Sequence, residues 1–161
     1  LWAKSKGAST VKVIGRSEQK RELVECMGLD YVDSSKDELG EYDFVLEAVG
    51  TPSSISEAIS ITAPGSTALL MGNPSGDIQL SQDVYWRILR KQLTVKGTWN
   101  SKYDGRNPSD WTEALNAIAS HSIDVLPLIS HRFKQEELKE GLNLMHEHKQ
   151  PYCKVMTIWN E

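Results

Sequence analysis

The run Val11-Lys12-Val13-Ile14 ends on Gly15-Arg16-Ser17, so a glycine, a guanidinium and a hydroxyl follow one another at the end of an apolar, β-branched stretch. A strand end of this kind carries an acid where a ribose 2′-hydroxyl is to be hydrogen-bonded. Here it carries a cation, with Lys20 and Arg21 close behind. Three further apolar runs stop in a related way, at Ala48-Val49-Gly50-Thr51, at Met71-Gly72-Asn73 and at Gly97-Thr98-Trp99. A single glycine at a strand end is ordinarily a turn. Glycines at four such ends suit a flat ligand lying close against the main chain, because a residue without Cβ lets the two approach. The intact G-x-G-x-x-G fingerprint is absent from the sequence.

Something must bring these ends together, and the periodicity of the chain supplies it. Val11–Ile14 reads as a short strand. Ser17–Met27 reads as a helix, with Ser17 as N-cap, Lys20, Leu23, Val24 and Met27 at helical spacing, and Gly28 as its stop. Tyr31-Val32 is a brief strand before a polar loop from Asp33 to Glu41. Phe44–Leu46, Ala68–Met71, Leu93–Lys96 and Lys154–Trp159 follow as strands, the first two as continuous buried runs. Ser53–Ile61, Asp83–Leu89, Asp110–Ala119 and Glu136–His148 follow as helices, and Asn100–Pro108 as a polar surface loop. Strands alternating with helices predict an α/β fold, a doubly wound parallel sheet covered on both faces. Such sheets bind ligands beyond the carboxyl ends of their strands, where the four glycines fall.

The opening Leu1–Gly7 reads as the last turns of a helix closed by Gly7, with no N-cap and no strand before it. That predicts a fragment of something longer. The 161 residues are enough for one domain with a core of its own. Hydrophobic residues at 39% and charged residues at 25% are ordinary for a globular protein. Lys+Arg 18 against Asp+Glu 22 gives a net charge of −4, so no overall pull toward nucleic acid or membrane is expected. No run reaches the ~18 apolar residues of a membrane span. No signal peptide is visible either, and the cytoplasm is the expected compartment. Cys26 and Cys153 lie far apart and read as reduced core thiols.

The remaining polar residues build no second site. His146 and His148 flank Glu147 at i,i+2, which turns them to different faces of a helix, so they read as a solvated helix end. His131 is expected to cap or pack, and His121 to sit in a turn. No nucleophile elbow or Walker loop occurs. Trp2, Trp86, Trp99, Trp111 and Trp159 read as core or interface, since no basic stripe accompanies them.

Four segments carry a resemblance: VLEAVGTPSSISEAI, GSTALLMGNPSGDIQL, ILRKQLTVKGTW and LISHRFKQEELKEGLNLM, the last followed by KVM. Their order and spacing resemble the second half of zinc-dependent medium-chain alcohol and polyol dehydrogenases. Within that family the chain is most similar to the galactitol-1-phosphate 5-dehydrogenase and sorbitol dehydrogenase branch, chiefly through RKQLTVKGTWN. The resemblance implies a Rossmann-like fold, with residues 1–161 as a partial dinucleotide-binding domain. Its first strand, its glycine turn and an N-terminal catalytic domain would lie outside this sequence, and Leu1–Gly7 would be the tail of the helix after that turn.

The resemblance also implies roles. Gly15 falls where NAD-preferring members place their acid, and Arg16 follows it. A guanidinium there can grip a 2′-phosphate with paired charge-assisted hydrogen bonds, Ser17 adding a hydroxyl and Lys20 or Arg21 further charge. The implied cofactor is therefore NADP, ahead of NAD. Ala48, Val49, Gly50 and Thr51 match the segment passing the riboses, and Met71, Gly72 and Asn73 the strand end that meets the nicotinamide carboxamide. Thr98, Trp99 and Asn100 match the wall facing the nicotinamide ring. Lys154 lies near a pyrophosphate-binding arginine of some members, though Cys153 is the better match in register.

The implied parent is an NAD(P)-dependent oxidoreductase acting on a polyol or polyol phosphate at zinc. The metal ligands and catalytic residues would not be in this chain, which alone is expected to be inactive. A zinc-free quinone-reductase-like enzyme, or a binding and assembly module without turnover, are the alternatives. The resemblance further implies a homodimer through an edge strand at Leu69–Met71 and Asp77–Leu80.

Overall fold

The computed structural model describes residues 1–103, 105, 108–147 and 149–159. In chain order its elements are α1 (Trp2–Ser5), β1 (Lys12–Gly15), α2 (Glu18–Cys26), β2 (Asp30–Asp33), β3 (Tyr42–Glu47), α3 (Pro52–Ile61) and β4 (Thr62–Leu70). There follow α4 (Gln82–Arg90), β5 (Thr94–Gly97), α5 (Asp110–Ala119), β6 (Ile129–Lys134), α6 (Leu138–Glu147) and β7 (Lys154–Ile158). They fall into two compact units, Leu1–Asp37 with Tyr103–Glu161, and Glu38–Lys102.

Every strand pairing is parallel, as an α/β alternation requires. In the first unit β1 pairs with β2, and β6 pairs with β7. Val24 of α2 packs with Leu29 and Tyr31 as a small buried cluster, edged by Val11, Val13 and Met27. Val24 and Met27 are three residues apart, so one face of the helix reaches the strands.

The second unit is a three-stranded sheet in the order β3-β4-β5. Its core is Ile55, Ala58, Ile59 and Ile61 of α3 against Val45 and Ala68 of the sheet. Burial of each of the larger side chains contributes roughly 1.5–3 kcal/mol before entropy is counted. α3 begins sharply because Thr51 caps it, Pro52 stands at its first turn, and Ser54 closes the capping box. Lys91, at the end of α4, holds its other end by donating to the Ser60 and Thr62 carbonyls at 2.8 and 2.9 Å.

Several expectations need correction. Phe44-Val45-Leu46 is not buried throughout: Val45 is, while Phe44 and Leu46 are 58% and 49% exposed on the opposite face. The strand alternates as a one-sided strand does. Ile129–Lys134 forms a strand that the hydrophobic pattern does not announce, because its inward row of Ile129, His131 and Phe133 includes a histidine. The expected edge is misplaced. β4 is hydrogen-bonded to β3 on one side and β5 on the other, so Leu69 and Leu70 have no open side to offer, while Met71 lies past the end of β4 and Asp77–Leu80 forms no strand.

The thiols differ from the core reading, and of the two places expected for the tryptophans, core or interface, the core is ruled out. Cys26 is exposed and Cys153 half-buried, both free, and Cys26 is not part of the buried Val24 cluster. All five tryptophans are exposed, and none belongs to a core. His131 does pack, stacked 6.3 Å from Phe133, and His121 does sit in a turn. The helix expected over Glu136–His148 begins at Leu138, after a 3-10 turn at Gln135–Glu137, and His148 lies outside the described residues.

Candidate functional site

One line of register organises the second unit. Glu47, the last residue of β3, is opposite Leu70, the last of β4, and Leu70 is opposite Gly97, the last of β5. Ala48–Thr51, Met71–Asn73 and Thr98–Asn100 therefore leave one edge of the sheet together. Three of the four sequence-predicted groups are thus neighbours by topology.

Two of them are in main-chain contact. Gly50 has φ +82, and a Cβ built on it would lie 1.9 Å from the Asn73 carbonyl oxygen. A Cβ on Gly72 would lie 2.2 Å from the Gly50 nitrogen. No side chain fits at either position, so the glycines let one strand-end turn stack directly on the other. Ser75 N–H donates to the Gly50 carbonyl at 3.2 Å, and Thr98 N–H to the Leu70 carbonyl at 2.9 Å. The open surface beside this contact is apolar, with Val49 66% and Met71 45% exposed. Thr51 contributes differently from expectation: its hydroxyl accepts from Ser54 N–H at 3.1 Å as the N-cap of α3.

Beneath the stacked turns lies Glu47, buried and not singled out by sequence. Its Oε1 accepts from Val49 N–H at 2.7 Å, Gly50 N–H at 2.8 Å and Ser54 Oγ–H at 2.8 Å. Its Oε2 is buried with no hydrogen-bond partner among the described residues. Met71 and Gly72 N–H donate to the Glu47 carbonyl at 2.9 and 3.1 Å. Burial works to raise the Glu47 pKa, but Gly50, Ser54, Val49 and Gly72 outweigh it and hold the carboxyl below its ordinary value. The one signal in the sequence is an acid closing the run Phe44-Val45-Leu46.

The fourth group lies in the first unit, at the end of β1. Gly15 is opposite Asp33 in register, and its α-carbon faces the Tyr31 phenol: a Cβ there would be 2.7 Å from the hydroxyl oxygen. That oxygen accepts from Ser17 N–H at 2.8 Å. Arg16 is exposed and donates from Nε to Ser34 Oγ at 3.3 Å. The acid of this strand end is Asp33, one strand over, and it is occupied. Ser35 gives it a hydroxyl at 2.6 Å and an amide at 2.9 Å, and Lys36 an ammonium at 3.1 Å. Ser35 first and then Lys36 hold its pKa at about 2.

Elsewhere, Cys153 N–H donates to Ser130 Oγ at 2.9 Å and Lys154 opens β7 exposed. Among the described residues no three His, Cys, Asp or Glu side chains gather as a metal site. These residues do not fit a zinc ion, and among the described residues no helix is long and apolar enough to cross a membrane.

Residues 1–120 match the model of the zinc-binding dehydrogenase family. The chain belongs to that family. Galactitol 1-phosphate 5-dehydrogenase of Escherichia coli (strain K12) is 26% identical over 94% of this chain and 47% of its own length. The crystal structure of galactitol-1-phosphate dehydrogenase from Escherichia coli superposes with a TM-score of 0.83 at 27% identity, over 96% of this chain and 47% of that one. L-threonine 3-dehydrogenase of Bacillus subtilis is 30% identical over 89% of this chain and 43% of its own length. A short chain alcohol dehydrogenase from Escherichia coli CFT073, complexed with cofactor NADH, shares the fold. Its TM-score is 0.79 at 19% identity, over 96% of this chain and 46% of that one. The fold is thus the Rossmann-like α/β fold of these dehydrogenases, and the chain spans about half the length of the curated relatives it matches.

Proposed function

We propose that this chain is the dinucleotide-binding part of a zinc-dependent dehydrogenase. The enzyme would transfer hydride between a polyol or polyol phosphate, galactitol 1-phosphate in kind, and a nicotinamide cofactor, with NADP ahead of NAD. The observation that carries the reading is the line Glu47–Leu70–Gly97, which delivers three strand-end turns to one sheet edge with two glycines in main-chain contact.

On this reading Gly50 and Gly72 keep the edge low, so that a planar ring can lie against it, and Val49 and Met71 border it with apolar surface. Thr98, Trp99 and Asn100 form the next wall. Arg16, held through Nε by Ser34, grips the 2′-phosphate with its terminal nitrogens, and Ser17 adds its hydroxyl. Nicotinamide itself carries the hydride. Zinc, when bound, lowers the pKa of the alcohol, and its ligands are not among the residues described here. The setting is the cytoplasm, in keeping with two free thiols. The assembly is a homodimer using Asp77–Leu80 and the outer side of β5, since β4 is paired on both sides. A monomer mass in light scattering at tens of micromolar would remove the dimer.

Calorimetric titration with NADP and with NAD, beside an assay with sorbitol and galactitol 1-phosphate, tests the rest. These 161 residues are expected to bind weakly, with NADP ahead, because they contain no G-x-G-x-x-G turn, and to turn nothing over, because the zinc ligands that would activate an alcohol are not among them. Absence of binding to either dinucleotide at millimolar concentration sinks the reading. A preference for NAD sinks the role of Arg16 alone.

A further inference from the structure

A carboxylate is a poor choice for a buried position unless its charge has work there, since removing it from water costs several kcal/mol. Glu47 is 4% exposed and sits at the end of β3, surrounded by the two turns. Three donors converge on one oxygen, two of them consecutive amides of the turn and the third the Ser54 hydroxyl. Charge-assisted bonds of this kind are roughly twice as strong as neutral ones. Ser54 lies in the first turn of α3, and that turn holds no acidic residue of its own. The Glu47 charge therefore stands where the dipole of a helix N-terminus favours an anion.

The backbone of the same residue holds the second turn. Its carbonyl accepts from Met71 and Gly72, and its Oε2 would be 2.7 Å from a Gly72 Cβ. One residue thus touches both turns, with its side chain on the first and its main chain on the second. Neither Val49 nor Gly50 N–H remains for an incoming anion, which leaves the exposed Val49 and Met71 side chains to define the edge.

We infer that Glu47 is the positioning residue of this sheet edge, its carboxylate clamping Val49–Gly50 between Gly72 and the first turn of α3. The clamp sets the height at which Val49 and Met71 meet a bound ring. This consequence for binding rests on the proposed dinucleotide reading, whereas the clamp itself does not.

Glu47→Gln preserves size and one acceptor oxygen while removing the charge, and Ser54→Ala removes one donor without touching the carboxylate. Amide proton spectra and hydrogen exchange of the wild-type chain and both variants read the clamp directly. The expected result is upfield movement of the Val49 and Gly50 amide resonances in Glu47→Gln, and exchange faster by about tenfold at these two amides, with β1 unchanged. Ser54→Ala should do the same to a smaller degree. Where either dinucleotide binds, its dissociation constant should rise about tenfold in Glu47→Gln at a temperature where both proteins are fully folded. Unmoved Val49 and Gly50 amides in both variants overturn the clamp. Moved amides with an unchanged dissociation constant overturn its positioning role and leave Glu47 structural only. If the wild type binds neither dinucleotide, the functional reading fails and the amide data still decide the clamp.

Discussion

Gly15 and Tyr31 compete for one volume: a Cβ on the glycine would meet the phenol oxygen at 2.7 Å and its ring carbons at 3.2 Å. Tyr31 is 8% exposed and its hydroxyl accepts the Ser17 amide, so the ring cannot swing away freely. An acid placed at Gly15 would therefore meet the Tyr31 phenol and not open space. Gly15→Ala should cost about 1–3 kcal/mol through overpacking. In a Tyr31→Phe background, where the closest atom is gone, the same exchange should cost less, with a coupling of at least about 0.5 kcal/mol. Urea unfolding of the four proteins measures it, and strict additivity would show that the two residues do not contend.

Arg16 should discriminate between cofactors and do nothing else. Loss of a charge-assisted contact to phosphate is worth about 1.5–3 kcal/mol, or on the order of ten- to a hundredfold. Arg16→Ala should lower NADP affinity by that factor and leave NAD affinity within about twofold, read by parallel titrations. Equal losses for both would assign Arg16 to some other part of the ligand.

Asp33 gives an acid-sensitive component of stability. Its folded pKa of about 2 lies below the unfolded value, so its stabilising contribution is complete above about pH 4 and is lost as pH falls through about 2. Asp33→Asn should flatten the dependence of stability on pH within that window, and Ser35→Ala should shift the loss to higher pH. Thermal melts between pH 2 and 5 test both, and an unchanged slope in Asp33→Asn would refute the assignment.

Lys91 separates a buried role from an exposed one. Its side chain is 16% exposed and donates to two carbonyls at the end of α3, while its ion-pair partner Glu41 is 54% exposed at 2.7 Å. Lys91→Met should cost about 1–3 kcal/mol by leaving those carbonyls short of a donor. Glu41→Gln should cost less than about 1 kcal/mol, since the pair is screened by solvent. Chemical denaturation ranks them, and the reverse order would make the ion pair the dominant contact.

How much of this is legible in the sequence depends on distance along the chain. The strand ends are legible because glycine after a β-branched run is a local signal, and Gly15, Gly50, Gly72 and Gly97 each close a run or the turn after one. The bounds of α5 follow from local capping and helical periodicity, and Ser17 does precede α2, although its side chain makes no capping hydrogen bond there. Glu47 is illegible because an acid in a window of residues reads as exposed, and only the fold reveals that Gly50, Val49 and Ser54 wrap around it. The filling of the Gly15 position by Tyr31 joins residues on different strands, which no local pattern encodes. β6 escapes because His131 breaks its apolar row. The middle position of β4 escapes because an apolar run looks alike at the edge and at the centre of a sheet.

The stacking of Gly50 on Asn73 and of Gly72 on Gly50 constrains how this sequence can drift. At Gly15 the obstacle is the tip of a side chain, so a second mutation that trims Tyr31 can act as a suppressor. At Gly50 and Gly72 the nearest obstacles are main-chain atoms, the Asn73 carbonyl and the Gly50 nitrogen. Every amino acid carries those atoms, so no exchange elsewhere removes them. A selection for revertants should accordingly recover Gly15 variants through changes at Tyr31, while Gly50 and Gly72 variants should return only by true reversion.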